Sequence, residues 1–236
     1  MRFTWFQVAG GIADAKAEFA AERIPDYTLE AMAGIYTSGG VVAIATDTVY
    51  GLSAVVDGEG ISKVFAAKGR PREVALPVLA PSIEAALSLC DPGDVRANER
   101  LRTLGSEFWP GALTVVMARA ATFTADLGGP DSSSVGIRVP RGAVLTQLLE
   151  RVGSFVATSA NLHGRPPITR SEEFFRAENA PLMDHLDGIL SDALPPIGTP
   201  STVVDLRGAD IQVLRRGAIS EESIRSLLGQ RAPGVT

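Results

Sequence analysis

One cysteine and two histidines are all that the 236 residues offer in thiol and imidazole chemistry. A lone cysteine cannot close an internal disulfide, which fits a reducing compartment and predicts a cytoplasmic protein. Cys90 ends the apolar run Ala85-Ala86-Leu87-Ser88-Leu89-Cys90 with no histidine near it in sequence, so it reads as a small buried hydrophobe and not as a nucleophile. His163 and His185 stand 22 residues apart with no ligand pattern between them, which leaves a zinc site or a Ser-His-Asp triad without support. No apolar stretch approaches the roughly 18 residues of a membrane span, and Lys16, Glu18, Glu22 and Arg23 break any secretory signal in the first 25 residues. The glycines form neither a G-x-x-x-x-G-K-[ST] loop nor a G-x-G-x-x-G turn, so the two commonest nucleotide fingerprints are missing. The formal charge of -5 argues against broad, charge-driven binding to nucleic acid.

What is present is an ordinary globular balance, 45% hydrophobic and 21% charged, in a chain long enough to bury a core without a disulfide or metal. Residues 1–25 carry little pattern and read as a variable lead-in. Residues 26–229 alternate helical and β-branched segments, and 230–236 read as a loose tail. Helices are expected at Leu29–Thr37, 61–67, Ile83–Leu89, Val95–Leu104, Val144–Val152 and Glu221–Leu228, the last capped by Ser220. Strands are expected at Val41–Ala45, Tyr50–Val56, Leu76–Leu79, Leu113–Met117, Val135–Val139 and Phe155–Thr158. A hairpin of Val203–Leu206 and Ile211–Leu214 completes them. This interleaving predicts an α/β fold with a mixed sheet. Asp192–Thr199, rich in proline, reads as an ordered turn or a lid.

Polar residues gather at strand ends, where α/β sheets bind ligands. Thr46-Asp47-Thr48 follows one strand. Lys68-Gly69-Arg70-Pro71 puts two cations on a turn where both could meet one polyphosphate, or form a solvated basic loop. Arg138 sits inside Val135–Val139, and an arginine in an apolar strand needs a carboxylate or phosphate partner, from a ligand or from the protein itself. Thr158-Ser159-Ala160-Asn161 offers uncharged donors and acceptors to a ligand, or merely caps a turn. Ser201-Thr202 opens a strand, Arg215-Arg216-Gly217 closes one, and Trp109-Pro110-Gly111 reads as a packing corner.

As an ordered set these segments resemble the YrdC-like threonylcarbamoyl-AMP synthases. Ala45-Thr46-Asp47-Thr48-Val49-Tyr50-Gly51-Leu52 is similar to the family's PTDTVYGL opening. Lys68–Pro71, Trp109–Thr114, Val135–Pro140, Thr158–Gly164, Pro200–Asp205 and Arg215–Gly217 follow in the family's order, from about Thr28 to about Leu228. The resemblance implies a twisted mixed sheet with flanking helices around a concave basic cleft, in a short, single-domain form. It implies joining L-threonine, bicarbonate and ATP, with Mg²⁺ on the phosphates, into threonylcarbamoyl-AMP and pyrophosphate. A downstream tRNA threonylcarbamoyl-transfer machinery would then modify adenosine 37 of tRNA. By the same resemblance Lys68 and Arg70 are catalytic and hold the ATP phosphates. Thr48, Arg138, Ser159 and Ser201 bind threonine, and Ser134, Asn161, Thr169 and Arg215 contact the nucleotide. Val74-Ala75-Leu76 and Leu79 stand where the family often has asparagine-proline-leucine and then a histidine at the threonine site. That departure leaves open a related carbamoyl-adenylate former with another substrate. A non-catalytic module for double-stranded RNA is the third reading, with tRNA or a duplex as its partner.

Overall fold

In the computed structural model the described residues are 4–7, 24, 26–56, 59–69, 72–162, 164–191 and 196–230. In chain order the first elements are β1 (Thr4–Gln7), α1 (Asp26–Thr37), β2 (Val42–Ala45), β3 (Tyr50–Val55), α2 (Glu59–Lys68), β4 (Val78–Leu79), α3 (Ile83–Ser88) and α4 (Val95–Phe108). They continue with β5 (Leu113–Ala118), β6 (Ser134–Arg138), α5 (Ala143–Val152), β7 (Phe155–Ser159), two short 3-10 turns, α6 (Ala180–Met183) and β8 (Gly188–Ser191). The chain closes with β9 (Thr202–Asp205), β10 (Gln212–Arg215) and α7 (Glu221–Leu227).

The strands form one sheet in the order β1-β8-β2-β3-β7-β4-β6-β5-β9-β10. It is mixed, as expected: β2/β8, β4/β6 and β5/β9 run parallel, whereas β2/β3, β3/β7 and β5/β6 are antiparallel. The expected hairpin is the antiparallel pair β9/β10, and Ser220 caps α7 by accepting from the Ser223 amide at 3.1 Å. Two strands had no sequence expectation. β1 lies within the lead-in and pairs with β8, which forms from Gly188-Ile189-Leu190-Ser191. Helix α4 runs past the expected end at Leu104. Gly105 continues it, and the space its missing side chain leaves is filled by Trp109 and Ile83. Cys90 is buried and free, and burial pushes its thiol up to about 12, in line with a packing role. Trp109 is a packing corner, buried with its indole N–H donating to the Leu113 carbonyl at 2.7 Å.

Side-chain alternation along the strands separates two faces. On one, Ala43, Leu52, Ala54, Val78, Val115, Ile137, Val156 and Val204 pack in a single core with Ile61, Val64 and Phe65 of α2, Leu101 and Leu104 of α4 and Ile224 of α7. Each fully buried valine, leucine, isoleucine or phenylalanine among them contributes about 1.5–3 kcal/mol relative to exposure. On the other face Val42, Ile44, Phe155 and Leu79 pack beneath Met32 and Tyr36 of α1 and Val144, Leu145, Leu148 and Leu149 of α5, with Tyr36 stacked on Phe155 at 5.1 Å between ring centres. Beyond β4 that second face changes character. Ser134, Gly136 and Arg138 of β6, Thr114 and Val116 of β5, and Val203 of β9 line a cavity of about 550 Å³ where β2 and β7 have a helix interface.

Candidate active site

The cavity collects its polar groups from segments far apart in sequence. Arg138, at the end of β6, is almost wholly buried. Its Nε donates to the Gly111 carbonyl at 2.8 Å, its Nη1 to Thr48 Oγ1 at 2.8 Å, and its Nη2 is ion-paired with the Asp47 carboxylate. Burial pulls its guanidinium below arginine's ordinary value, and the Asp47 charge pushes back. The partner that a strand arginine requires is therefore a carboxylate of the chain itself. Asp47 was visible in sequence only as one member of a strand-end cluster. Three of the five guanidinium N–H groups are engaged in these bonds, which leaves two without a partner among the described residues. Thr48, buried, also shares its hydroxyl with Thr46 at 3.0 Å.

Lys68 is not part of an extended turn. It is the last residue of α2, and Gly69 (φ 55°) ends that helix. Arg70 and Pro71 lie outside the described residues. Nor is Lys68 solvated: it is 4% exposed, and its ammonium reaches the Ser159 carbonyl, Ser159 Oγ at 3.3 Å and Asn161 Oδ1 at 2.7 Å. Ser159 Oγ in turn lies 2.6 Å from Asn161 Oδ1, and Asn161 Nδ2 donates to the carbonyls of Leu162 and Arg165. The Thr158–Asn161 segment is thus both a turn that satisfies its own amide and the seat of a buried ammonium.

On the far side, Ser201 is buried and its hydroxyl bonds Thr114 Oγ1 at 2.8 Å. Arg215 donates from Nε and Nη2 to the Ser201 carbonyl at 3.1 and 2.8 Å, and from Nη2 to Ser201 Oγ at 3.0 Å. Burial lowers the Arg215 guanidinium from its usual value, and the neighbouring Arg138 charge adds to that. Ser134 Oγ donates to the Asp131 carbonyl at 3.0 Å.

Thr48, Ser134, Arg138, Ser159, Ser201 and Arg215 all line the one cavity. Lys68 and Asn161 stand one bond behind it through Ser159. Thr169 is not among the described lining residues, and its hydroxyl donates to Glu173 Oε1 at 3.1 Å, at the start of a 3-10 turn. Val74, Ala75, Leu76 and Leu79 form part of the cavity wall. Of the loop expected as a lid, Asp192–Pro195 lie outside the described residues. Its later part is tied down, with the Ile197 and Gly198 amides donating to the Asp47 and Thr48 carbonyls at 3.1 and 2.8 Å.

The described lining carries three arginines and one aspartate, and two of those arginines are ion-paired. Arg138 is paired with Asp47, and Arg207 is clasped between Asp205 and Asp131. Those hydrogen bonds, from Asp205 foremost, raise the Arg207 guanidinium. Asp131 is held down at about 2, first by the Ser133 hydroxyl and then by Arg207. Arg215 is the lining cation whose partners among the described residues are neutral oxygens alone. No group of three His, Cys, Asp or Glu side chains able to hold a metal ion occurs among the described residues. Nor is any described helix long and apolar enough to cross a membrane.

Against known proteins, the family profile Sua5_yciO_yrdC, described as "Telomere recombination", matches residues 35–217. A Mycobacterium tuberculosis (strain H37Rv) protein named "Putative threonylcarbamoyl-AMP synthase" is 35% identical over 203 residues, 86% of this chain and 89% of its own length. The threonylcarbamoyl-AMP synthase of Pyrococcus abyssi is 31% identical over 216 residues, 89% of this chain but 59% of the longer archaeal protein. The crystal structure of P. abyssi Sua5 complexed with L-threonine superposes with a TM-score of 0.77 at 30% identity, covering 89% of this chain and 59% of that one.

Proposed function

Since the chain belongs to the Sua5/YciO/YrdC family, we propose that it is an L-threonylcarbamoyladenylate synthase, an ATP-consuming nucleotidyltransferase that serves tRNA modification. The observation that carries this reading is the convergence on one cavity of about 550 Å³ of an arginine with two spare donors, a second arginine held on neutral oxygens, and a buried lysine seated behind the lining serine. Such a set suits a carboxylate next to a phosphate.

The amine of L-threonine takes up bicarbonate to give a carbamate, releasing water. A carbamate oxygen then attacks the α-phosphorus of ATP, the bond from that phosphorus to the bridging oxygen breaks, and pyrophosphate leaves. No covalent enzyme intermediate is needed. The protein's work is placement, worth about 7–11 kcal/mol at best, and compensation of charge on the departing phosphates. Arg138, oriented by Asp47, Thr48 and Gly111, presents its two spare N–H groups to the threonine carboxylate, and Thr48, Ser159 and Ser201 complete that pocket. Arg215 and Arg70 meet the phosphates and Ser134 contacts the nucleotide, while Lys68 and Asn161, seated behind Ser159, would reach the phosphates and the nucleotide only by giving up bonds they make there. Thr169, bonded to Glu173, would reach a nucleotide only after giving up that bond. Mg²⁺ would arrive with the ATP phosphates as part of the substrate and would supply charge compensation there. The product passes to a tRNA threonylcarbamoyl-transfer machinery.

The test is pyrophosphate release from ATP with threonine and bicarbonate each supplied or withheld. Release that depends on both is expected. Arg138→Ala is expected to raise the KM for threonine at least tenfold, and Lys68→Ala to cut ATP use by a similar factor. Unchanged turnover in both variants would remove this assignment of the site. One observation favours a second substrate reading: the wall formed by Val74, Ala75, Leu76 and Leu79 has apolar side chains only. A panel of amino acids in the same assay separates the two, because a larger apolar amino acid outrunning threonine would select the alternative.

A further inference from the structure

Gly136 sits in the middle of β6, a strand with a neighbour on each side, where glycine weakens pairing and leaves nothing to pack. Two reasons that would ordinarily demand glycine are absent. Its φ is not positive, and a Cβ placed on it meets nothing closer than Pro77 Cβ and Thr114 Cγ2, both at 3.8 Å, which is ordinary van der Waals contact. Gly217, by comparison, has backbone atoms at 2.4 and 2.5 Å from such a Cβ, so the two glycines are kept for different reasons. The space left by the missing side chain would therefore take a methyl group in ordinary contact with its neighbours, and it faces the cavity.

Its position along the strand gives that space a meaning. Successive residues on one face of β6 are Ser134, Gly136 and Arg138, and all three line the cavity. At about 3.3 Å per residue, Ser134 and Arg138 are about 13 Å apart with Gly136 midway. Sideways, β6 is flanked at this level by Val116, its partner in β5, and by Pro77, which precedes the pairing of Val78 with Ile137. The result is a slot without a side chain on its floor, walled by Pro77 and Val116. An amino-acid anchor closes one end and a nucleotide-side serine the other.

We infer that Gly136 is the clearance residue of the reaction centre. The carbamate and α-phosphorus that must come together pass directly over it, and a side chain there would block their junction without blocking either substrate's own anchoring. Gly136 does no chemistry. It sets the depth at which the two halves of threonylcarbamoyl-AMP meet. This rests on the reading of the site as a threonylcarbamoyl-AMP synthase, in which Arg138 holds the amino acid and Ser134 the nucleotide.

The test uses the full chain with Gly136→Ala and Gly136→Val. Valine suits a strand, so neither change is expected to lower the melting temperature by more than a few degrees. Binding of ATP alone and of threonine alone, by calorimetry, should stay within about threefold of wild type. The turnover number for pyrophosphate release should fall at least tenfold in Gly136→Ala and at least a hundredfold in Gly136→Val. Turnover within twofold of wild type in Gly136→Ala and within tenfold in Gly136→Val would overturn the inference. So would a loss of ATP or threonine binding matching the loss of turnover, since Gly136 would then belong to one substrate's site and not to the junction. Should Gly136→Val fold poorly, Gly136→Ala decides alone. A wild-type protein without threonine-dependent release would instead sink the functional reading itself, and the two failures are told apart by that control.

Discussion

At the scale of single residues, the Asp47–Arg138 pair is the most consequential contact in the cavity. Arg138 is 6% exposed, and Asp47 supplies the only negative charge that its guanidinium touches among the described residues. A buried pair gains little over an apolar substitute, but removing one partner strands the other, at a cost of about 3–5 kcal/mol. Asp47→Ala should therefore lose about 3–5 kcal/mol in urea denaturation. The double variant Asp47→Ala/Arg138→Met should lose less than Asp47→Ala alone, because it leaves no stranded cation. A single-variant loss below about 1 kcal/mol would show that Thr48 and Gly111 suffice to hold the guanidinium. How much of this was legible follows the same physics. An arginine amid Val135, Ile137 and Val139 announces that it needs an anion, whatever the fold. Which anion was hidden, because Asp47 precedes it by 91 residues and only the sheet brings them together. Lys68 was legible only as a cation on a turn, for a polyphosphate or for solvent, and not as the last residue of α2 with its ammonium buried against Ser159 and Asn161.

Among the elements, β9 and β10 form the wall that carries Ser201 and Arg215, and one crossing holds that wall in register. Thr202 Oγ1 donates to the Ile219 carbonyl at 2.6 Å and accepts from the Ile219 amide at 3.0 Å, which ties the exit of β10 to the start of β9. At that crossing the chain passes so near that a Cβ on Gly217 would fall 2.4 Å from the Pro200 carbonyl oxygen and 2.5 Å from the Ser201 carbonyl carbon. Gly217→Ala should therefore push β10 from β9, separate Arg215 from Ser201, and lower both the melting temperature and the affinity for ATP. An unchanged calorimetric affinity for ATP would show that the crossing absorbs a methyl group without moving Arg215. The hairpin itself was readable from its two β-branched runs, as were the long helices and central strands, because their periods of 3.6 and 2 span enough residues. The close approach at Gly217 was not, since a glycine after two arginines looks like a solvated turn. Strands β1 and β8 escaped for a simpler reason. Each has four residues with a single β-branched side chain, too little to read as a strand run, and both are recognisable only by the partners they find.

For the whole molecule, the decisive fact is that the site has no local precursor. Its groups come from Thr48 before β3, Arg138 of β6, Ser159 of β7 and Ser201 and Arg215 around β9 and β10, so it exists only when the sheet from β3 to β10 is assembled. Substrates that bind this arrangement and not the unfolded chain must stabilise the fold by mass action, by about 2.7 kcal/mol at a hundredfold excess over Kd. For a chain of this length that corresponds to about 5–10 °C in melting temperature. ATP and threonine should each raise the melting temperature, since on the proposed assignment each would bridge strands on both sides of β6. The two increments should separate by mutation: Arg138→Ala should abolish the rise due to threonine while leaving most of that due to ATP, and Arg215→Ala should do the reverse. A scan in which both variants lose both increments equally would mean that the cavity acts as one undivided binding site, and the division of labour between its two arginines would have to be abandoned.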